Sequence, residues 1–227
     1  MITTPDAMRA RVAELRERIA AAALESGRDA SEITIVAAAK TVDASRTRLA
    51  IDAGIRCIGE NRAQELLEKA PQLMDCDPEW HFIGALQRNK VRGLAPWVAL
   101  WHSVDRLALA EAIAQRAPGA AVLIEVNTSG EASKAGVPLP QVGTLVDQVA
   151  ALGLEVRGLM TVPAPHRDPT PAFAALRQEA DYLGLAVCSM GMSDDFECAI
   201  REGATVIRLG RVLFGDRPAP RGPAVPD

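Results

Sequence analysis

The chain has 227 residues, 48% of them hydrophobic, and carries a formal net charge of -4. This length fits one large domain or two small ones, and the acidic balance without a long basic run argues against nucleic acid as the main partner. The N-terminal stretch MITTPDAMRARVAELRERIA is charged throughout, unlike a signal peptide, and no apolar stretch is long enough to span a bilayer, so we expect a cytoplasmic protein without membrane association.

Strand-like and helix-like segments alternate along the chain. A helix is predicted first, over residues 6–26, and helical or cap-like sequence follows each predicted strand. Asp43 or Ser45 is expected to cap the helix after the first strand, and Pro71 is expected to end the helix after the second. The predicted strands are 33–40, 55–60, 80–84, 100–104, 121–127, 156–162, 186–192 and 205–210.

Repeated βα units of this kind imply a parallel sheet. Eight units predict an α/β fold, a single closed (β/α)8 barrel of the TIM type over residues 1–217, with one extra helix in front. A doubly wound sheet is the alternative, and its dinucleotide-binding form is disfavoured because no G-x-G-x-x-G follows the first strand. The proline-rich residues 218–227 are expected to be disordered.

Lys40 ends the first predicted strand, ITIVAAAK. Because side chains alternate along a strand, Val36, Ala38 and Lys40 share one face, which we expect to point into the barrel. The carboxyl end of such a barrel is where sites are built. A lysine that merely extends to solvent from the strand end is the structural alternative.

The last two strands end in glycine-rich turns. Gly191 precedes Ser193, a candidate helix N-cap, and Gly210 lies between Arg208, expected inside the barrel, and Arg211. The loops after strands seven and eight often bind phosphate in these barrels, and strand eight lies beside strand one. The sequence therefore predicts a phosphate site next to Lys40, although ordinary helix capping would also explain each turn.

A lysine beside a phosphate site suggests Schiff-base chemistry, which needs a neutral amine. Two ligand classes fit this arrangement: pyridoxal 5′-phosphate (PLP), or a phosphosugar as in class I aldolases.

Several stretches together resemble the pyridoxal phosphate homeostasis protein family, whose barrel is similar to the N-terminal domain of alanine racemase. They span residues 33–215 and read AAAKTV, IGENRAQE, HFIGALQRNK, VNTSGEASKAG, GLMTV, SMGMSDDFECAI and IRLGRVLFG. The resemblance implies that Lys40 forms the Schiff base with PLP and that Arg208 approaches the pyridine nitrogen. It implies further cofactor-binding residues around the phosphate and the ring: Met192, Ser193, Gly210, Arg211, Asn61 and His81. Many family members have a small hydroxyl residue in place of Arg211, so its contact with phosphate is either a salt bridge or through the backbone alone.

Other polar residues are given structural roles. Glu125 is interpreted as a core charge rather than a functional inward carboxylate, and Asp105 as a helix N-cap. The four cysteines form no C-x-x-C pair and show no metal spacing with the three histidines, so no metal site is expected.

A racemase needs acid–base groups on both faces of the bound cofactor. The second base of alanine racemase comes from an additional domain, and Tyr182, the only tyrosine here, falls on a predicted outer helix. An arginine at the pyridine nitrogen would also weaken the ring as an electron sink. We therefore expect a monomeric PLP carrier without catalytic residues, which delivers PLP to amines or PLP-dependent apo-enzymes. A racemase of low activity and a phosphosugar aldolase are the alternatives.

Overall fold

Eight parallel strands close into a barrel in the computed structural model, which describes residues 2–131 and 134–215. Each barrel strand pairs with its sequence neighbours, β4 pairs with β5, and β9 returns to pair with β1, which closes the ring. A short strand, β6 (Val137–Pro138), pairs with β5 only. The barrel strands are β1 (Thr34–Ala38), β2 (Cys57–Glu60), β3 (Glu79–Phe82), β4 (Val98–Val104), β5 (Ala121–Asn127), β7 (Glu155–Met160), β8 (Val187–Ser189) and β9 (Val206–Leu209).

Helices surround the barrel and one precedes it, which confirms the predicted fold. The helix before the barrel, α1, begins after the N-cap Thr4 and has proline in its first turn, where a missing N–H costs nothing. The helices are α1 (Pro5–Glu25), α2 (Ala44–Asp52), α3 (Ala63–Lys69), α4 (Val91–Leu94), α5 (Leu107–Arg116), α6 (Val142–Ala151), α7 (Thr170–Tyr182), α8 (Phe196–Arg201) and α9 (Arg211–Phe214).

Most strand ends differ from the prediction by one to three residues. β1 ends at Ala38, two residues early, because Thr41 adopts a left-handed conformation with φ of 64° and turns the chain. The α-helix after β2 ends at Lys69, just before Pro71 as predicted, and a 3-10 helix over Ala70–Cys76 follows it. Proline is tolerated there because it occupies the first turn of the new segment. Residues 218–227, expected to be disordered, lie outside the described residues.

The two faces of the strands pack into separate cores, as the two-residue period requires. Ala37, Ile58 and Ile207 face the helices and belong to the large core. Val36 and Cys57 lie inside the barrel in a small apolar cluster that also contains Val206. The inward direction predicted for the face of Val36 is thereby confirmed. No helix among the described residues is long and apolar enough to cross a membrane.

Candidate functional site

Lys40 lies in the loop between β1 and α2, at the carboxyl end of the barrel, and is half-buried. The turn that carries it is held by α3 from two sides. The Lys69 ammonium donates a hydrogen bond to the Ala39 carbonyl at 2.7 Å, and the Thr41 N–H donates to Glu65 Oε2 at 2.8 Å. Lys40 is thus presented on a turn that is fixed immediately before and after it.

Lys69 also forms a buried ion pair with Glu60, the last residue of β2. Its Nζ lies 3.6 Å from Glu65 Oε2, so one ammonium serves two carboxylates and a carbonyl. Burial raises the pKa of Glu60, and the hydrogen bond and charge of Lys69 oppose that rise. The second carboxyl oxygen, Glu60 Oε2, has no partner among the described residues. This pair was not predicted from the sequence, where a glutamate at the end of the apolar strand CIGE was the available signal.

Arg208 lies inside the barrel and is 5% exposed. One guanidinium nitrogen donates to Ser189 at the carbonyl oxygen (2.7 Å) and at Oγ (2.6 Å), and another donates to the Thr161 carbonyl at 2.8 Å. Burial lowers the pKa of Arg208 to about 10, and the charges of Glu125 and Asp195 oppose this shift. The group therefore remains a rigidly held cation at neutral pH.

His81 lies deeper in the barrel than the sequence analysis expected. Its Nδ1 is 3.0 Å from Nε2 of His102, whose Nδ1 is 2.9 Å from Ser189 Oγ. His81 therefore connects to Arg208 through His102 and Ser189, and its role as a ring-side or pocket-lining residue stays a prediction. Burial lowers the pKa of His81 to about 4 and that of His102 well below its ordinary value, so both rings are neutral.

Cys57, Glu79 and His81 meet at the opposite, amino-terminal end of the barrel. Their ligand atoms lie within 4.8 Å of one another, with Cys57 Sγ 3.5 Å from Glu79 Oε2. The spacing of cysteines and histidines along the sequence gives no sign of this cluster, because the proximity comes from the pairing of β2 with β3. Burial raises the pKa of Cys57 to about 12, with Glu79 adding to the shift, so the group is a thiol at neutral pH.

A cavity of about 830 Å³ opens at the carboxyl ends of β2 to β5. Asn61 lines it, together with Phe82 and Glu125. Glu125 is half-buried, and no hydrogen bond or ion pair links its carboxylate to any described residue. Its interpretation as a capped core charge is therefore wrong. Burial raises the pKa of Glu125 to about 7, the charge of Asp105 adds to the rise, and that of Arg208 opposes it.

Asp105 is not a helix N-cap. The N-cap of α5 is Arg106, which has no capping side-chain bond, and Asp105 pairs with the Arg106 guanidinium instead.

The loops after β8 and β9 contact each other beside the end of β1. Gly191 has φ of 90°, and the following Met192 N–H donates to Asp195 Oδ1 at 2.5 Å. Ser193 is not the N-cap of α8, which is Asp195; its Oγ accepts a hydrogen bond from the Val212 N–H at 3.2 Å. The serine thus ties the two loops together.

Open backbone donors remain in both loops. Among the described residues, the N–H groups of Ser193, Gly210 and Arg211 have no hydrogen-bond partner. A side chain on Gly210 would place its Cβ 3.4 Å from the Ala38 carbonyl oxygen, so this glycine borders the strand that leads to Lys40. The Arg211 side chain is exposed and paired with Asp194.

The fold and the arrangement at its carboxyl end define an α/β barrel of the type found in alanine racemase. The family model described as "Alanine racemase, N-terminal domain" matches residues 4–218. Within this group, the chain belongs to the pyridoxal phosphate homeostasis protein family.

Two relatives of that name carry this assignment. The protein of Pseudomonas aeruginosa is 41% identical over 216 residues, covering 91% of this chain and 94% of the relative. The protein of Aquifex aeolicus is 42% identical over 221 residues, covering 91% and 97%. Among solved structures, PipY of Synechococcus elongatus with PLP bound is 32% identical and superposes with a TM-score of 0.80, covering 92% of this chain and all of that one (100%).

Proposed function

We propose that this protein binds PLP at the carboxyl end of its barrel, holds it as a Schiff base on Lys40, and acts in PLP homeostasis without catalytic turnover. The observation that carries the proposal is the pairing of β1 with β9, in which Val36 lies opposite Arg208. This register puts Arg208 on the strand beside β1 and sets Gly210, with the open N–H groups of the last loop, next to Ala38, two residues before Lys40. The PLP bound in PipY supports the choice of PLP over a phosphosugar.

The phosphate would be held by the N–H groups of Ser193, Gly210 and Arg211. Backbone donors aimed at one point form an anion site, and a glycine leaves room for the anion to approach. For Arg211 we propose a contact through the backbone, because its side chain already pairs with Asp194. Met192 would contribute its N–H only if Asp195 releases it. Asn61 would border the ring from the cavity side.

Arg208 would face the pyridine nitrogen. A guanidinium donates hydrogen bonds and accepts none, so it keeps the nitrogen unprotonated and the ring a weak electron sink. Its bonds to Ser189 and Thr161 keep it in place. PLP itself supplies the reactive aldehyde. This combination supports storage and delivery rather than carbanion chemistry.

A PLP-dependent amino-acid racemase of low activity is the second candidate. Glu125 favours it, because a half-buried carboxyl with a pKa of about 7 is suited to acid–base catalysis. Tyr182 offers no support, since it is 83% exposed on α7.

We further propose a single barrel domain over residues 1–217, a monomeric state, a cytoplasmic location, and PLP-dependent apo-enzymes or free amines as recipients. Nucleic acid and membrane are not proposed as partners, in keeping with the net charge of -4. Reversible exchange of the imine between Lys40 and an incoming amine would release PLP.

The test is a visible absorption spectrum of the wild type and Lys40→Ala, before and after PLP is added. We expect the band of a Schiff base in the wild type and its loss in the variant, with thermal unfolding unchanged. The absence of the band from both proteins would refute PLP binding through an imine. Assays of amino-acid racemisation on the loaded wild type then separate the carrier from the racemase.

A further inference from the structure

The carboxylate of Glu125 takes part in no hydrogen bond or ion pair with the described residues. It lies on β5 at the carboxyl end of the barrel and lines the cavity of about 830 Å³ with no partner for its carboxylate among the described residues. A half-buried carboxylate without a hydrogen-bond partner costs free energy that a cationic ligand would recover. The cavity is large enough for a small organic molecule.

The walls around this carboxylate are mainly apolar. Phe82 and Leu86 are buried side chains of the wall, and Leu67 of α3 is exposed at its edge. Apolar surface favours a ligand with a hydrocarbon body. Lys90 is exposed at the edge of the cavity and forms no ion pair with any described residue.

We infer that this cavity is a binding site for an organic ammonium ion, with the ammonium on Glu125 and an apolar body against Phe82 and Leu86. The ligand class is a primary amine, either simple or carrying a carboxylate as in an α-amino acid. In the second form the ligand carboxylate would face the basic edge of the cavity at Lys90, Arg62 and Arg106.

This site deepens the proposed function but does not depend on PLP for binding. If Lys40 holds PLP, the amine bound at Glu125 would be the one to which PLP is transferred. The amine must first lose a proton, and the Glu125 carboxylate is the group that takes it. Binding of the ammonium to protein free of PLP is a separate property and is measured separately.

The charges that face Glu125 are Asp105 on the loop after β4 and Arg208 on β9. Asp105 is itself paired with Arg106, so its effect is partly neutralised. Ammonium binding requires the ionised form of Glu125. With a pKa of about 7, the ionised fraction rises about tenfold between about pH 6 and about pH 8, whereas a simple alkylamine stays protonated throughout. Affinity for an alkylamine should therefore rise by about this factor.

The experiment is calorimetric titration of the full-length protein, freed of PLP, with three probes of similar shape: isoamylamine, L-leucine and isocaproate. We expect binding of isoamylamine, tighter at the higher pH, and no comparable binding of isocaproate, which lacks the ammonium. Tighter binding of L-leucine than of isoamylamine assigns the site to amino acids, and the reverse assigns it to simple amines.

Glu125→Gln preserves the shape of the side chain and removes its charge. It should weaken isoamylamine binding by about tenfold or more and abolish the pH dependence. Glu68→Gln is the matched control, because Glu68 lines the same cavity but is exposed and accepts a hydrogen bond from Gln64. This control should bind isoamylamine as the wild type does.

Equal binding of isoamylamine and isocaproate, or no binding of either, overturns the inference, and this comparison needs no variant. An unchanged affinity in a folded Glu125→Gln protein also overturns it. The absorption spectrum with PLP is recorded on the same samples. An intact PLP band with no amine binding refutes this site alone, and amine binding without the band refutes the role of Lys40 alone.

Discussion

The buried ion pair between Lys69 and Glu60 is the interaction most vulnerable to a single substitution. Lys69→Met removes the ammonium and keeps most of the side-chain volume. Removing one partner of a buried ion pair costs about 3 to 5 kcal/mol, because the other charge is left without compensation. Glu60 is fully buried and its second oxygen already lacks a partner, so we expect a loss in this range at neutral pH.

The loss should depend on pH in a defined direction. Burial raises the pKa of Glu60 in the folded state above its ordinary value of 4.5. Between pH 4.5 and the higher pKa of Glu60 in the folded protein, the folded state binds more protons than the unfolded state. The free energy of unfolding therefore falls as the pH rises through this range. Without Lys69 to oppose the shift, the range widens. Lys69→Met should therefore be closer to the wild type at about pH 5 than at about pH 8.

The assay is urea unfolding followed by tryptophan fluorescence at both pH values. The double variant Lys69→Met with Glu60→Gln removes the stranded charge and should recover at least about 2 kcal/mol at the higher pH. Arg201→Gln, which breaks the exposed pair with Glu25, is the control and should change stability by less than about 1 kcal/mol. A loss below about 1 kcal/mol in Lys69→Met, or no recovery in the double variant, would refute the reasoning.

Two further substitutions test the interior and the loop after β8. Ser189→Ala removes a hydrogen-bond partner from both Arg208 and His102. It should lower the free energy of unfolding, measured with urea, by about 1 to 3 kcal/mol. An unchanged value would show that Ser189 does not hold these two side chains. Gly191→Ala puts a Cβ 2.5 Å from that of Ala199, at a position with positive φ. It should lower the free energy of unfolding by at least about 2 kcal/mol, seen as a fall in Tm. The control Gly143→Ala, whose Cβ would meet only Leu183 at 3.5 Å, should fold as the wild type does.

The barrel was predictable because its signals are local. Alternation of β-branched runs with helical segments is written along the chain, and the two-residue period fixes which side chains enter the barrel. This was sufficient to place Val36 and Arg208 inside. The resemblance then supplied roles for Lys40 and the last two loops, which remain predictions.

The partners of charged groups were not predictable in the same way. Lys69 reaches Glu60 from the last residue of α3, nine positions further along the chain, and the Cys57–Glu79–His81 cluster depends on the pairing of two strands. For Asp105, the sequence predicted an interaction that the structure does not contain. Its type and position suggested a cap, but the helix began one residue later and its carboxylate found an arginine instead.

The two neutral histidines make the barrel sensitive to acid. In the unfolded chain each ring would be protonated below about pH 6.5, whereas His81 inside the barrel resists protonation down to about 4. In that interval the unfolded state binds more protons, so stability falls as the pH falls. At about 1.4 kcal/mol for each pKa unit, His81 alone removes about 3 kcal/mol, and the lowered pKa of His102 acts in the same direction. Mild acidification would therefore destabilise the barrel by protonating these two histidines in the unfolded chain, while most carboxylates on the surface are still ionised.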